Sequence, residues 1–206
     1  MIDELKEELP VYNLLRQVFL KEPSPELLDG LRQSDVTQSG EDDEITRGLG
    51  MMTGAVKAYG QRIDVCVQEL ALEFARLFIG PTNPPAIPYA SFYLSESHTL
   101  MTDETIDVRK RYLDAGMAVK DLYSIPDDHI GIELEFIYYL TQKTIELFER
   151  GEREEASRLF ELRADFIKEH MALWMPFFAN KVIEFAQNDF YKGAALALRG
   201  TIDDLV

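Results

Sequence analysis

The stretch from Leu77 to Leu94 constrains this chain more than any other, because an apolar helical pattern meets four prolines within eight residues of a glycine. Gly80 stands where a helix C-terminal cap is expected, since only a residue without a β-carbon enters the left-handed region cheaply. Pro81, Pro84, Pro85 and Pro88 then fix φ, remove four backbone donors and bias the residues before them away from helix. A helix must end at Gly80. The connection after it is stiff and poorly able to pair into a sheet, so it is expected to hold something in place.

The rest of the chain reads as helix. Leu5, Leu9, Tyr12, Leu15 and Phe19 repeat near the helical period over residues 3–19. Ser24 and Pro25 resemble an N-cap and first helical position for a short helix through Leu31. Residues 33–43 are polar and read as loop. Residues 43–58 read as helix, although Gly48, Gly50 and Gly54 each weaken it by about 1 kcal/mol relative to alanine unless they mark close packing. Ile63, Val67, Leu70, Phe74 and Leu77 form one stripe from Arg62 to Phe78. A short helix is predicted over 89–94 and another over 103–123, opened by Asp103 as a cap candidate.

A second break follows at residues 124–129. Residues 130–149 are apolar around most of the circumference, which suits the centre of a bundle. Gly151 ends that helix, 152–173 restarts, Pro176 must break or kink it, and Asn188 precedes a final helix from about Asp189. No strand alternation, repeat or linker is evident. The expected class is all-α, a single domain over residues 1–206 built as a bundle of about eight to ten helices.

With 206 residues and 46% hydrophobic content the chain is long enough for a substantial core. Its formal net charge of −16, from 37 acidic against 21 basic residues, disfavours nucleic acid and anionic membranes and suits a basic partner or simple solubility. The N-terminal residues are acidic and lack the basic and apolar regions of a secretory signal, and no apolar run is long enough to span a bilayer, so the chain is expected to stay in the cytoplasm without membrane insertion. Cys66 is the single cysteine, which rules out an internal disulfide or cysteine-based metal cage and suits a buried small hydrophobe.

Tests for chemistry give little. No phosphate loop is present, and Gly48-Leu-Gly50 lacks the strand of a dinucleotide fingerprint. His129 and Glu133, four apart, would share a helical face, but two ligands do not make a metal site. His98 and His170 lack the Glu-x-x-His pairing of di-iron bundles. Ser91 has no nucleophile elbow, and Cys66 has no nearby histidine in sequence. Asp127, Asp128 and Glu133 suit acid/base work less well than Asp127 and Asp128 suit capping of the helix that follows. No catalytic residue, cofactor or metal site is therefore assigned.

Two segments carry a resemblance. Phe74-Ala-Arg-Leu-Phe-Ile-Gly80-Pro81 continuing through Pro88-Tyr89-Ala-Ser91-Phe-Tyr93, and Pro126-Asp127-Asp128-His129-Ile-Gly-Ile-Glu133-Leu134-Glu135-Phe136, together resemble the TorD/DmsD branch of the NarJ-like chaperones. The C-terminal pattern His170, Trp174, Phe178, Ala186, Phe190, Tyr191 is also similar. The resemblance runs from about the third helix to the C-terminus. It implies an all-helical cytoplasmic chaperone, not an enzyme, that binds the twin-arginine signal peptide of a molybdoenzyme catalytic subunit, and in some members the body of that client, until its cofactor is installed. By position it implies a client surface at Tyr89, Ser91, Tyr93, Asp127, Asp128, His129 and Glu133. One departure stands out: Ile125 occupies a position where the family commonly has glutamate.

The residues themselves support a similar expectation. A twin-arginine signal offers a basic segment followed by an apolar one, so its receptor needs carboxylates beside an apolar groove, and Asp127 and Asp128 would open a strongly apolar helix. Trp174, Phe177 and Phe178 would add aromatic wall or pack in the core. His129 is either a sensor of pH near neutrality or a structural histidine satisfied by a carboxylate. The competing reading is an all-α metal-dependent or nucleotide hydrolase using His129 and Glu133. A homodimer is left open, because helix exchange would use the same apolar faces.

Overall fold

Ser24 accepts the Leu27 N–H with its hydroxyl and Pro25 follows as the first helical residue, so the short second helix begins where its capping chemistry dictates. The same local logic sets most boundaries in the computed structural model, which describes residues 2–34, 43–81, 83–117 and 125–203. In chain order the helices are α1 (Ile2–Leu20), α2 (Pro25–Gln33), α3 (Glu44–Lys57), α4 (Ile63–Phe74) running into a π turn (Ala75–Ile79), α5 (Ala90–Leu94), α6 (Asp103–Asp114), α7 (Ile130–Glu149), α8 (Arg153–Phe166) running through a second π turn (Ile167–Met171) into α9 (Ala172–Phe185), and α10 (Asp189–Asp203). Counting each run-on helix once gives nine among the described residues, and the class is all-α as expected.

Three boundaries differ from the sequence reading. The helix expected over 103–123 stops at Asp114, with Gly116 following at φ +75°, and residues 118–123 lie outside the described residues, as do 35–42 of the expected polar loop. Asp103 is the first helical residue, and Thr102 stands at the cap. Of the break or kink expected at Pro176, the break does not occur: Pro176 lies inside α9, which follows directly on the π turn.

The chain divides into two compact units, one of Met1–Leu20 with Pro88–Trp174 and the other of Lys21–Ile87 with Met175–Val206. In the first unit α7 is central. Its Leu134, Phe136, Ile137 and Leu140 are fully buried. α1 packs on it at Gly131, where a β-carbon would lie 2.7 Å from the Leu20 Cα, so only glycine lets the two backbones approach this closely. Arg163 of α8, 1% exposed, donates to Thr141 Oγ1 of α7 at 3.0 Å and pairs with Glu8 of α1. Its charge is thus paired and hydrogen-bonded, as burial requires. Phe136 packs between Tyr112 and Phe166 at ring distances of 4.6 and 5.0 Å.

In the second unit α3 crosses α10 at Gly48, whose position would place a β-carbon 2.4 Å from the Gly193 carbonyl oxygen. Gly50 and Gly54 have open space instead, so only Gly48 of the three marks close packing. Tyr191 of α10 donates its hydroxyl to the Leu70 carbonyl, and Phe78 lies 5.9 Å from Phe178. Gly80 closes the first π turn at φ +54° and ψ 158°, donating to the Ala75 carbonyl at 2.7 Å. The positive φ explains the glycine, although the extended ψ departs from the expected left-handed cap. The loop then folds back, with the Ala86 N–H on the Leu77 carbonyl at 3.1 Å.

Candidate functional site

Within the first unit, the end of the proline-rich segment and the turn before α7 meet backbone to backbone. Tyr89 and His129 form an isolated antiparallel bridge. The Ile130 N–H donates to the Pro88 carbonyl at 2.9 Å and the Ala90 N–H to the Asp128 carbonyl at 3.0 Å. The Pro88–Tyr93 end of the first segment that carries the resemblance and the second segment are therefore neighbours in space.

Side chains complete the junction. Asp128 is fully buried; its Oδ2 accepts the Ser91 N–H at 2.8 Å and its Oδ1 accepts the Thr105 hydroxyl at 2.9 Å. It thus caps α5 from a distant part of the chain, satisfying a helix-start donor that no local residue satisfies. Asp127, 1% exposed, pairs with Arg109 at 2.5 Å, and its carbonyl accepts the Tyr112 hydroxyl at 2.9 Å. Neither aspartate caps α7. That role falls to His129, whose Nδ1 accepts the Gly131 N–H at 3.0 Å. Because Nδ1 accepts, the ring is neutral with its proton on Nε2. Burial lowers its pKa to about 4, against a smaller opposing effect of Asp128.

Four residues on, Glu133 is fully buried inside α7. Its Oε1 meets His170 Nε2 at 2.7 Å, and its Oε2 accepts the Trp174 indole N–H at 3.2 Å. Burial raises the Glu133 pKa, partly offset by His170. Burial also opposes charge on His170, but the Glu133 carboxylate outweighs it and the histidine pKa is raised. Both directions favour the pair keeping one proton. Trp174, itself fully buried, carries the half-buried Tyr93 ring stacked on it, centroids 5.6 Å apart and planes 29° apart. The half-buried Tyr89 ring stands edge-on to His129 at 5.1 Å, and burial with Asp128 nearby raises its phenol pKa.

The eight residues Tyr89, Ser91, Tyr93, Asp127, Asp128, His129, Glu133 and Trp174 thus lie in one unit and in one connected cluster, but its carboxylates do not line an open acidic groove. Asp127, Asp128 and Glu133 are inside and partnered; of the eight, Tyr89 and Tyr93 are the ones with substantial exposure. Phe178 is core in the other unit, where Phe177 is 62% exposed. Sequence reasoning misses Thr105, Arg109 and Tyr112, which fall at i, i+4 and i+7 on one face of α6 and clamp the Asp127–Asp128 turn. That helical spacing of polar groups is the available signal. His170 is legible only through the resemblance. The hydrolase geometry does not form, because Glu133 is engaged by His170 and Trp174 while His129 faces Gly131 with its Nδ1. Among the described residues no group of three or more His, Cys, Asp or Glu side chains is arranged to hold a metal ion.

A family model described as nitrate reductase delta subunit matches residues 42–180, which include the whole cluster. Similar curated proteins are named Chaperone protein TorD. One from Vibrio parahaemolyticus is 29% identical over 192 residues, covering 91% of this chain and 87% of that protein. One from Vibrio cholerae is 28% identical over 204 residues, covering 95% and 90%. One from Photobacterium profundum is 29% identical over 171 residues, covering 78% and 77%.

Proposed function

Because the chain belongs to the nitrate reductase delta subunit family, we propose that it is a maturation chaperone for the catalytic subunit of a molybdenum-cofactor oxidoreductase, acting in the cytoplasm before export. The single observation that carries this reading is the end-to-end similarity to proteins named as TorD chaperones, which extends over most of both chains. Residues 1–206 act as one chaperone domain that binds the client's twin-arginine signal peptide, its apo form, or both, and delays export until the cofactor is in place.

The geometry suggests a division of labour. Tyr89 and Tyr93 contact the client, offering amphipathic rings of the kind enriched at recognition surfaces. Ser91, Asp127, Asp128, His129, Glu133 and Trp174 frame them from within, so that α5 and the turn before α7 keep one arrangement. The net charge of −16 favours approach of a basic segment through the field of the whole molecule rather than through one exposed ion pair. No described helix is long and apolar enough to cross a membrane.

Titration of the purified protein with twin-arginine leader peptides from oxidoreductases encoded nearby tests the reading, with affinity in the micromolar range that weakens with salt as the expected result. Light scattering on the same samples reads whether one copy or a homodimer engages the peptide. Absence of binding to every leader, together with a pull-down from native cells that captures no molybdoenzyme subunit, overturns it.

A further inference from the structure

The π turn Ile167–Met171 inserts an extra residue into the helix, which rotates the side chains after it by about 100° relative to an unbroken α-helix. In this arrangement His170, inside the turn, and Trp174, four residues later, converge on the two oxygens of one buried carboxylate, Glu133. Trp174 in turn bears the stacked ring of Tyr93 in α5. A chain of four side chains, His170, Glu133, Trp174 and Tyr93, therefore runs from a buried acid–base pair to the half-buried face of a five-residue helix. So short a helix has little stability of its own, and its position depends on the groups packed against it.

We propose that His170 is a positioning residue for Tyr93: the proton held between His170 and Glu133 fixes the carboxylate under the indole, and loss of that proton releases the Trp174–Tyr93 stack. The consequence for client affinity rests on the client-binding reading above, whereas the positioning itself does not.

The surroundings favour a held proton that is lost on the alkaline side. Glu133 faces His170 from α7 and Asp128 from the turn before it, and both favour the imidazolium. Arg111 of α6 opposes it, while Arg111 is itself drawn toward Glu169 of the π turn at 3.8 Å and Asp107 at 3.2 Å. The apolar Phe166 ring lies 5.0 Å from the imidazole. When the proton leaves, the neutral ring can still donate its Nε2–H, but the fully buried Glu133 carboxylate has lost its compensating charge, an arrangement that burial penalises and that movement or water entry relieves.

Trp174 is the single tryptophan, so its emission reports the chain directly. Wild-type emission and acrylamide quenching are expected to pass through one transition above about pH 6.5, on the alkaline side of the ordinary histidine value. His170→Gln is expected to abolish that transition. Affinity for a tryptophan-free twin-arginine leader peptide is expected to fall several-fold across the wild-type transition and to be flat with pH in His170→Gln. A wild-type transition that survives in His170→Gln, or a wild-type emission that is flat over this range, overturns the proposal. Should His170→Gln fail to fold by circular dichroism, Tyr93→Leu decides. It is expected to keep the transition midpoint, since the pair is intact, and to lose the change in quenching. A Tyr93→Leu protein with the wild-type quenching change overturns the proposal. Loss of the emission transition in His170→Gln with no leader binding at any pH supports the positioning role and overturns the client-binding reading instead.

Discussion

Asp128 caps a helix that begins far earlier in the chain, at Ala90: its carboxylate accepts the Ser91 N–H at 2.8 Å, 37 residues away in sequence, while its own carbonyl accepts the Ala90 N–H at 3.0 Å. One fully buried residue thereby ties the start of α5 to the turn before α7. A charge-assisted hydrogen bond of this kind is worth more than a neutral one.

Asp128→Ala is expected to cost about 2–4 kcal/mol, because the Ser91 N–H and the Thr105 hydroxyl are both left buried without this acceptor. Asp128→Asn keeps an acceptor for one of them and is expected to cost about 1 kcal/mol. Urea unfolding at pH 7 measures both. An Asp128→Asn protein with unchanged stability but a weakened, less salt-sensitive affinity for leader peptide would move this residue from the frame to the contact surface.

Arg109→Ala leaves the Asp127 carboxylate, 2% exposed at its side chain, without its cation. Removing one partner of a buried pair typically costs about 3–5 kcal/mol; Arg109 is one-third exposed, so about 2–3 kcal/mol is expected here. Lysine should restore only part, since it cannot present two nitrogens in the guanidinium plane. Thermal melts of the three proteins check the order.

His129 titrates near pH 4 in the folded chain and near 6.5 when unfolded, because burial penalises the charged ring. Below pH 6.5 the unfolded chain binds a proton that the folded chain refuses. The stability associated with neutral His129 is thus fully present above pH 6.5 and is lost as pH falls toward 4, reaching on the order of 3 kcal/mol. His129→Asn keeps a capping acceptor for the Gly131 N–H without this titration. Its stability difference between pH 7 and pH 4.5 should be smaller than wild type; an equal difference refutes the assignment.

Two glycine substitutions should act in opposite directions. Gly131→Ala drives a methyl to within 2.7 Å of the Leu20 backbone and is expected to cost about 1–3 kcal/mol or more through separation of α1 from α7. Gly54→Ala meets nothing within 4 Å in an exposed turn of α3 and is expected to stabilise by up to about 1 kcal/mol. Chemical denaturation of both variants against wild type gives the two signs.

Much of the helical layout is legible in the order of the amino acids, and particular residues show why. Ser24 with Pro25, Asp43, Asn188 and the apolar circumference of residues 130–149 act within a few positions of themselves, so their helices begin where the local chemistry places them. The π turns are not legible in this way: Pro176 reads as a break or kink, whereas the helix that contains it follows directly on a π turn and is not broken there. The end of α6 at Asp114 escapes a periodicity argument because the apolar pattern continues past it, whereas Gly116 adopts a positive φ.

The candidate site divides along the same line. By itself the sequence determined that the chain is helical and acidic, and the resemblance carried by the Tyr89–Tyr93 and Asp127–Glu133 segments implied which residues belong to one site. What only the tertiary structure decided is how the charges are used. Arg109 lies 18 residues from Asp127, Thr105 lies 23 from Asp128, His170 lies 37 from Glu133, and Trp174 lies 41 from it. No local pattern couples residues at such separations. A carboxylate reads the same in sequence whether it meets water, a ligand or a buried partner. Desolvation and hydrogen bonding distinguish these cases, and both depend on what the fold brings to within about 3 Å.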